Sequence, residues 1–107
     1  MRTIFHGFLF LLSFLAAGRL CAQQDIVISE FLAVNDGGLS DADGDSPDWI
    51  ELYNSGSEAA SLGGWYLSDD PEDLFKWPLP EMDLGAGSYL VVFASGKDRR
   101  AAGGELH

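Results

Sequence analysis

The side chains best suited to chemistry lie in one run, Asp41-Ala42-Asp43-Gly44-Asp45-Ser46-Pro47-Asp48. Hard cations such as Ca2+ take about six to eight oxygen ligands, and alternating carboxylates in a glycine-bent loop supply several of them. Alternation sends Asp41, Asp43 and Asp45 toward one point, and Asp48 or Glu51 could close the shell. The spacing is not that of an EF-hand. Counting from Asp41, the glycine position holds Ser46 and the closing glutamate position holds Leu52, and no helical pattern flanks the loop. The candidate metal set is therefore Asp41, Asp43, Asp45 and Asp48, with Ca2+ as the candidate ion. The competing reading is a solvated acidic hairpin loop that uses Asp and Gly because turns favour them.

Other chemistry finds little support. Asp69-Asp70 with Glu72 and Asp73 form a second acidic cluster, and Gly64 and Pro71 nearby make turn capping its expected role. Adjacent acids in a turn do not supply the carboxylate separation that glycoside hydrolysis needs. Past residue 22 the one histidine is His107, at the end of the chain where fraying is expected, and no cysteine remains. A Ser-His-Asp or Cys-His arrangement has little to build on, and zinc lacks its nitrogen and sulfur ligands. No GxGxxG or phosphate-loop pattern occurs. The residues predict no catalytic site and no enzyme. Trp49, Trp65 and Trp77 make the chain aromatic-rich, and the first reading is core packing. Trp49 is the candidate ligand platform, because it lies on the strand face opposite Ile50 and Leu52.

These residues need a scaffold and a compartment. Residues 1–22 read as a cleavable signal peptide: Arg2 gives a positive start, and Ile4 to Ala17 is apolar apart from His6 and Ser13. Leu20-Cys21-Ala22 is the expected cleavage site before Gln23. The apolar run is short for a span of about 20 residues, so no stable membrane span is expected after cleavage. An uncleaved anchor is the competing reading. Arg19 speaks against a lipid anchor on Cys21. The expected localisation is export, to the medium or the cell surface.

Cleavage leaves four basic against seventeen acidic residues, a formal charge of −13. Such a surface repels nucleic acid and anionic lipid, which leaves a protein or a cell-surface component as the expected partner. No disulfide can brace the remainder.

After a spacer at residues 23–25, short extended runs alternate with turn signals. Asp25 to Val34 is a predicted strand, as are Trp49 to Asn54, Trp65 to Ser68 and Ser88 to Ala94, with a short extended piece at Leu74 to Pro78. In the Trp49 strand, Ile50 and Leu52 face one way while Trp49, Glu51 and Tyr53 face the other. Ser55 to Glu58, Asp69 to Pro71 and Leu84 to Gly87 read as turns, and Lys97 to Arg100 as a solvated loop, for whose basic residues a contact with the chain's own acidic surface is a better alternative than nucleic acid. No helical periodicity appears beyond the leader. The pattern predicts an all-β, antiparallel sandwich.

The order of motifs carries a resemblance. IVISEFLAVN (Ile26–Asn35), DGDSPDWIELYNSG (Asp43–Gly56), LGGWYLSDD (Leu62–Asp70), Trp77 and GSYLVVFASG (Gly87–Gly96) together resemble the bacterial lamin-tail domain over residues 26–107. The resemblance implies an immunoglobulin-like β-sandwich, generally regarded as non-catalytic, found in secreted or cell-surface proteins beside hydrolase or adhesion domains. It implies a non-catalytic interaction or spacer module. The alternatives are an accessory domain of a larger secreted hydrolase and a carbohydrate-binding module. The family domain is longer than residues 26–107, so Gly103 to His107 reads as the opening of a further strand and the sandwich is expected to be truncated.

Overall fold

The structure is a computed structural model that describes residues 2–5, 8–14 and 25–107. Its elements are nine strands: β1 (Arg2–Phe5), β2 (Phe8–Phe14), β3 (Ile26–Leu32), β4 (Asp48–Asn54), β5 (Ala60–Ser61), β6 (Trp65–Ser68), β7 (Trp77–Pro78), β8 (Asp83–Leu84) and β9 (Tyr89–Ala94). They form a four-stranded sheet in the order β1-β2-β6-β7, a three-stranded sheet β3-β4-β9 and a small pair β5-β8. All strand pairs are antiparallel. The expected cleavage site at residues 20–22 and the first spacer residues lie outside the described residues.

The central strand β4 follows the expected alternation. Ile50, Leu52 and Asn54 are buried, while Asp48, Trp49, Glu51 and Tyr53 are half-exposed. Its neighbour β3 departs from strict alternation, in a stretch whose residues from Phe31 to Val34 are apolar on both faces. The register shifts between Ile28 and Glu30, so Ser29 bulges and Phe31 pairs with Ile50. One extra residue inverts the parity of everything after it. Ile26 and Ile28 therefore share the core-facing register with Phe31 and not, as strict alternation predicted, with Glu30.

The core joins Ile26, Ile50, Leu52 and Val92 of one sheet to Trp65 and Leu67 of the other. Leu62, Leu79, Leu84 and Leu106 fill in from the connections. Leu52 is fully buried; truncating such a side chain to alanine costs about 2–5 kcal/mol. Asn54 is the polar member of this interior. Its Nδ2 donates to the carbonyls of Glu58 and Leu84, and its Oδ1 accepts the Gly56 amide, so every side-chain polar atom is matched and the connections are fastened to β4.

The small strands depart from expectation. Ala60 and Ser61 pair with Leu84 and Asp83, so Leu84, the first residue of the expected turn, belongs to a strand. Of the predicted extended piece at residues 74–78, only Trp77 and Pro78 join a sheet. After β9 the chain returns to that strand through one isolated bridge. Leu106 bridges Val92 in parallel, its carbonyl accepts the Phe93 amide, and Arg99 and His107 exchange backbone hydrogen bonds.

Candidate functional site

The Asp41 loop is built around its own first carboxylate. Asp41 Oδ1 accepts the amides of Asp43 and Asp45 at 3.0 and 2.9 Å, and its carbonyl accepts the Gly44 amide. Gly44 makes this turn with φ +84°, a region that disfavours a side chain. The result is a tight loop in which Asp41, Asp43 and Asp45 do converge, as alternation required. Asp48 does not join them: on β4, its Oδ1 accepts the Asn35 amide at 3.1 Å. Glu51 is also elsewhere, bonded by the Ser29 hydroxyl.

The cation at the convergence point is Lys97. Its Nζ lies 2.5 Å from Asp41, 2.8 Å from Asp43 and 2.9 Å from Asp45, and Arg99 adds a second contact to Asp43 at 2.8 Å. The Asp41 side chain is wholly buried, Lys97 is 23% exposed and Asp45 is 67% exposed, so the cluster is dry at its base and wet at its rim. Lys97 holds the Asp41 carboxyl below its ordinary range against the opposing effect of burial, with the Asp45 and Asp43 amides assisting. The Asp43 carboxyl falls to about 2, held first by Lys97 and then by Arg99. The three carboxylates in turn raise Lys97 above the ordinary lysine value, Asp41 foremost. The basic loop thus meets the chain's own acids.

The last residues complete the cluster, and here the expectation of a frayed end fails. His107 is buried, with no side-chain exposure. Its Nε2 lies 2.8 Å from Glu105 and its Nδ1 2.6 Å from Ser95 Oγ. A carboxylate only accepts, so Nε2 carries the proton toward Glu105. With Nδ1 bare, the Ser95 hydroxyl donates to it while accepting the Lys97 amide. Glu105 also takes the Ala42 amide on both oxygens, and that amide, ahead of His107, lowers its carboxyl. Ring stacking on Phe93 at 5.2 Å fixes the imidazole further. Ser, His and Glu in line invite comparison with a nucleophilic triad. Yet Ser95 does not line the neighbouring cleft, and its hydroxyl is committed on both sides, so the line acts as a clasp between β9, the chain end and the acidic loop.

That cleft, about 300 Å³, opens between the sheets and is lined by Ile50, Leu67, Trp77, Val92, Phe93 and His107. At its rim Trp77 Nε1 donates to Asp98, which adopts φ 51°. Trp49, the candidate platform, is only half-exposed: it sits in register between Leu32 and Phe93. Its Nε1 is enclosed, with no hydrogen-bond partner among the described residues. The stacked pair on the same face is Tyr53 on Tyr89, with ring centroids 4.5 Å apart.

The Lamin Tail Domain model matches residues 21–106. The chain belongs to this family. Lamin tail domains are immunoglobulin-like modules of protein interaction, generally non-catalytic, and the two facing antiparallel sheets agree with that fold. No curated protein and no solved structure matches the chain. Placed on the lamin-tail fold, the match takes in the acidic loop, Lys97 and Glu105, and leaves β1 and β2 outside.

Sequence reading found the three converging aspartates and the basic loop, but not Ser95, Glu105 or Asn54. For Asn54 a signal existed, since parity places it on the face of Ile50 and Leu52. Glu105 meets Ala42 across 63 positions, and no local pattern marks such a pair.

Proposed function

We propose that this lamin-tail chain is a non-catalytic interaction or spacer module of an exported protein, acting on a protein or another cell-surface component. The family match over residues 21–106 carries this reading. The signal-like composition of residues 1–22 supports export. A surface of −13 after processing supports a partner that is neutral or basic.

Calcium enters as a stabiliser only by competing with Lys97. An ion coordinated by Asp41, Asp43 and Asp45 must displace an ammonium already bonded to all three. The glycan reading is weakened by the half-covered Trp49 ring, since stacking needs an open aromatic face.

Expression of the full chain in an export-competent bacterial host tests the reading. The expected product lies outside the cytoplasm, starts at Gln23 by intact mass, and binds no glycan on an array. A product that keeps Met1 in the cytosol overturns the export part. Specific glycan binding lost in Trp49→Ala replaces the spacer reading with the carbohydrate one.

A further inference from the structure

Exposed sheet edges invite pairing with other chains, and proteins blunt them with bulges, charges, prolines or covering segments. The edges of the two larger sheets differ in this respect. β3 carries the Ser29 bulge and the exposed Glu30. β7 is two residues long and one of them is Pro78, which lacks a ladder donor. β9 is flanked by Leu106, which bridges Val92 and accepts the Phe93 amide. β6 has none of these devices. Among the described residues, its outer edge is covered by β2, through the register Leu11 to Ser68, Leu12 to Leu67, Ser13 to Tyr66 and Phe14 to Trp65.

The hydrogen-bond parity says what is at stake. Trp65 accepts the Leu79 amide on the β7 side, so alternation turns the backbone groups of Tyr66 and Ser68 toward β2. Removal of residues 1–22 takes β2 away and leaves those groups open. Beside them lies apolar surface: Phe75 is 54% exposed, packs edge-on to Tyr66 at 4.9 Å, and follows the exposed Leu74. The lamin-tail match begins after β2, so the covering hairpin is not part of the shared domain.

We propose that the β6 edge is a strand-accepting surface, on which the processed chain takes an extended segment of a partner protein as an antiparallel neighbour. This rests on the export reading and names the partner chemistry that it lacks. The segment is apolar on alternate residues and carries basic residues just before its strand. Antiparallel pairing brings the start of the incoming strand to the Ser68 end, where Asp69, Asp70, Glu72 and Asp73 stand against the single ion pair of Lys76 with Asp69. A second copy of this chain is disfavoured, because two bodies of −13 repel. β2 shows the fit, being uncharged and mostly apolar.

Hydrogen exchange at the Tyr66 and Ser68 amides tests it, with unprocessed chain compared with exported, processed chain. Processing should speed exchange there by about tenfold or more. A synthetic peptide of two lysines followed by alternating threonine and valine should restore slow exchange. The same peptide with two glutamates in front should do so at least about threefold less well. Unchanged exchange on processing overturns the proposal, as does failure of the lysine peptide. Protection that grows with protein concentration and comes with a dimer assigns the edge to a second copy and overturns the stated partner. If residues 1–22 are retained, the export reading fails, and full-length Leu12→Pro, which breaks β2 at its pairing with Leu67, decides the edge by the same measurements.

Discussion

The loop around Asp41 and the turn around Asp70 are alike in composition and opposite in use. Both hold clustered acids in a short bend. In the first, Lys97 and Arg99 come from more than fifty residues away to bond three carboxylates, and the Asp41 side chain is sealed beneath them. In the second, the acids cap their own bend. Asp70 Oδ1 accepts the Glu72 amide, and the Ser68 hydroxyl accepts the Asp70 amide and donates to the Asp73 carbonyl. A single exposed ion pair, Lys76 with Asp69, is the cation contact there. Charge density alone therefore does not mark a site. What separates the two is whether distant chain converges on the acids, and the difference predicts that one bend holds the fold together while the other faces outward for contact.

Substitution of Asp41 should have the largest effect. Asp41→Ala removes the acceptor of two loop amides and a partner of Lys97 together, and unpaired buried donors are expensive. Thermal unfolding should begin on the order of 10 °C lower. The matching change on the other side, Asp70→Ala, loses one capping bond and should move the midpoint by a few degrees at most. Equal losses would erase the distinction.

Next comes Lys97→Met, which leaves three converged carboxylates with Arg99 as the remaining cation contact. Its unfolding midpoint should fall by about 5 °C or more in EDTA. Millimolar Ca2+ should recover part of that fall while leaving the unaltered chain where it is. A rise of several degrees with Ca2+ in the unaltered chain would show that the ion displaces Lys97, and would favour the metal reading of the loop.

The contrast also has a pH signature. The Asp43 carboxyl sits at about 2 in the folded chain against an ordinary 3.8, and those of Asp41 and Glu105 are lowered too. Depressed carboxyls contribute stability that is complete above the unfolded value and is lost as pH falls through the folded one. The loss should therefore fall between about pH 4 and pH 2. Lys97 is raised, so its share is complete below the ordinary lysine value of 10.5 and fades at higher pH. Urea melts across this range should show the acid limb in the unaltered chain and a flatter one in Lys97→Met. Identical limbs would mean that the acid loss arises elsewhere.

These effects mark where the sequence was legible. Strand β4 and the face of Ile50 and Leu52 could be read because one buried face imposes a period of two over seven residues. The convergence of Asp41, Asp43 and Asp45 could be read because alternate carboxylates in a glycine-bent loop turn toward one point, which is a local pattern. The ion that meets them could not be fixed, because an ammonium from residue 97 and a bound metal satisfy the same carboxylates and leave the same local pattern. The buried His107 was misread because position in the chain stood in for contacts. Its order comes from Ser95, Glu105 and Phe93, partners visible only once β9 is placed. The bulge at Ser29 leaves just a weak trace, a run whose alternation fails midway.

The smallest expected effect tests the outward bend most directly. Lys76 and Asp69 meet at 2.7 Å with side chains 51% and 40% exposed, and pairs so wet contribute little after screening and side-chain entropy. Asp69 raises Lys76 above its ordinary value, but that attraction acts through solvent. Lys76→Ala should change stability by less than about 0.5 kcal/mol. It should at the same time strengthen binding of the lysine-led peptide at β6, because it removes a cation paired with the acids that the peptide meets. Urea melts and peptide titrations on the same variant separate the two readouts. Weaker peptide binding without loss of stability would mean that the Asp69–Asp73 bend does not steer the incoming strand, and the acidic turn would then be a cap and nothing more.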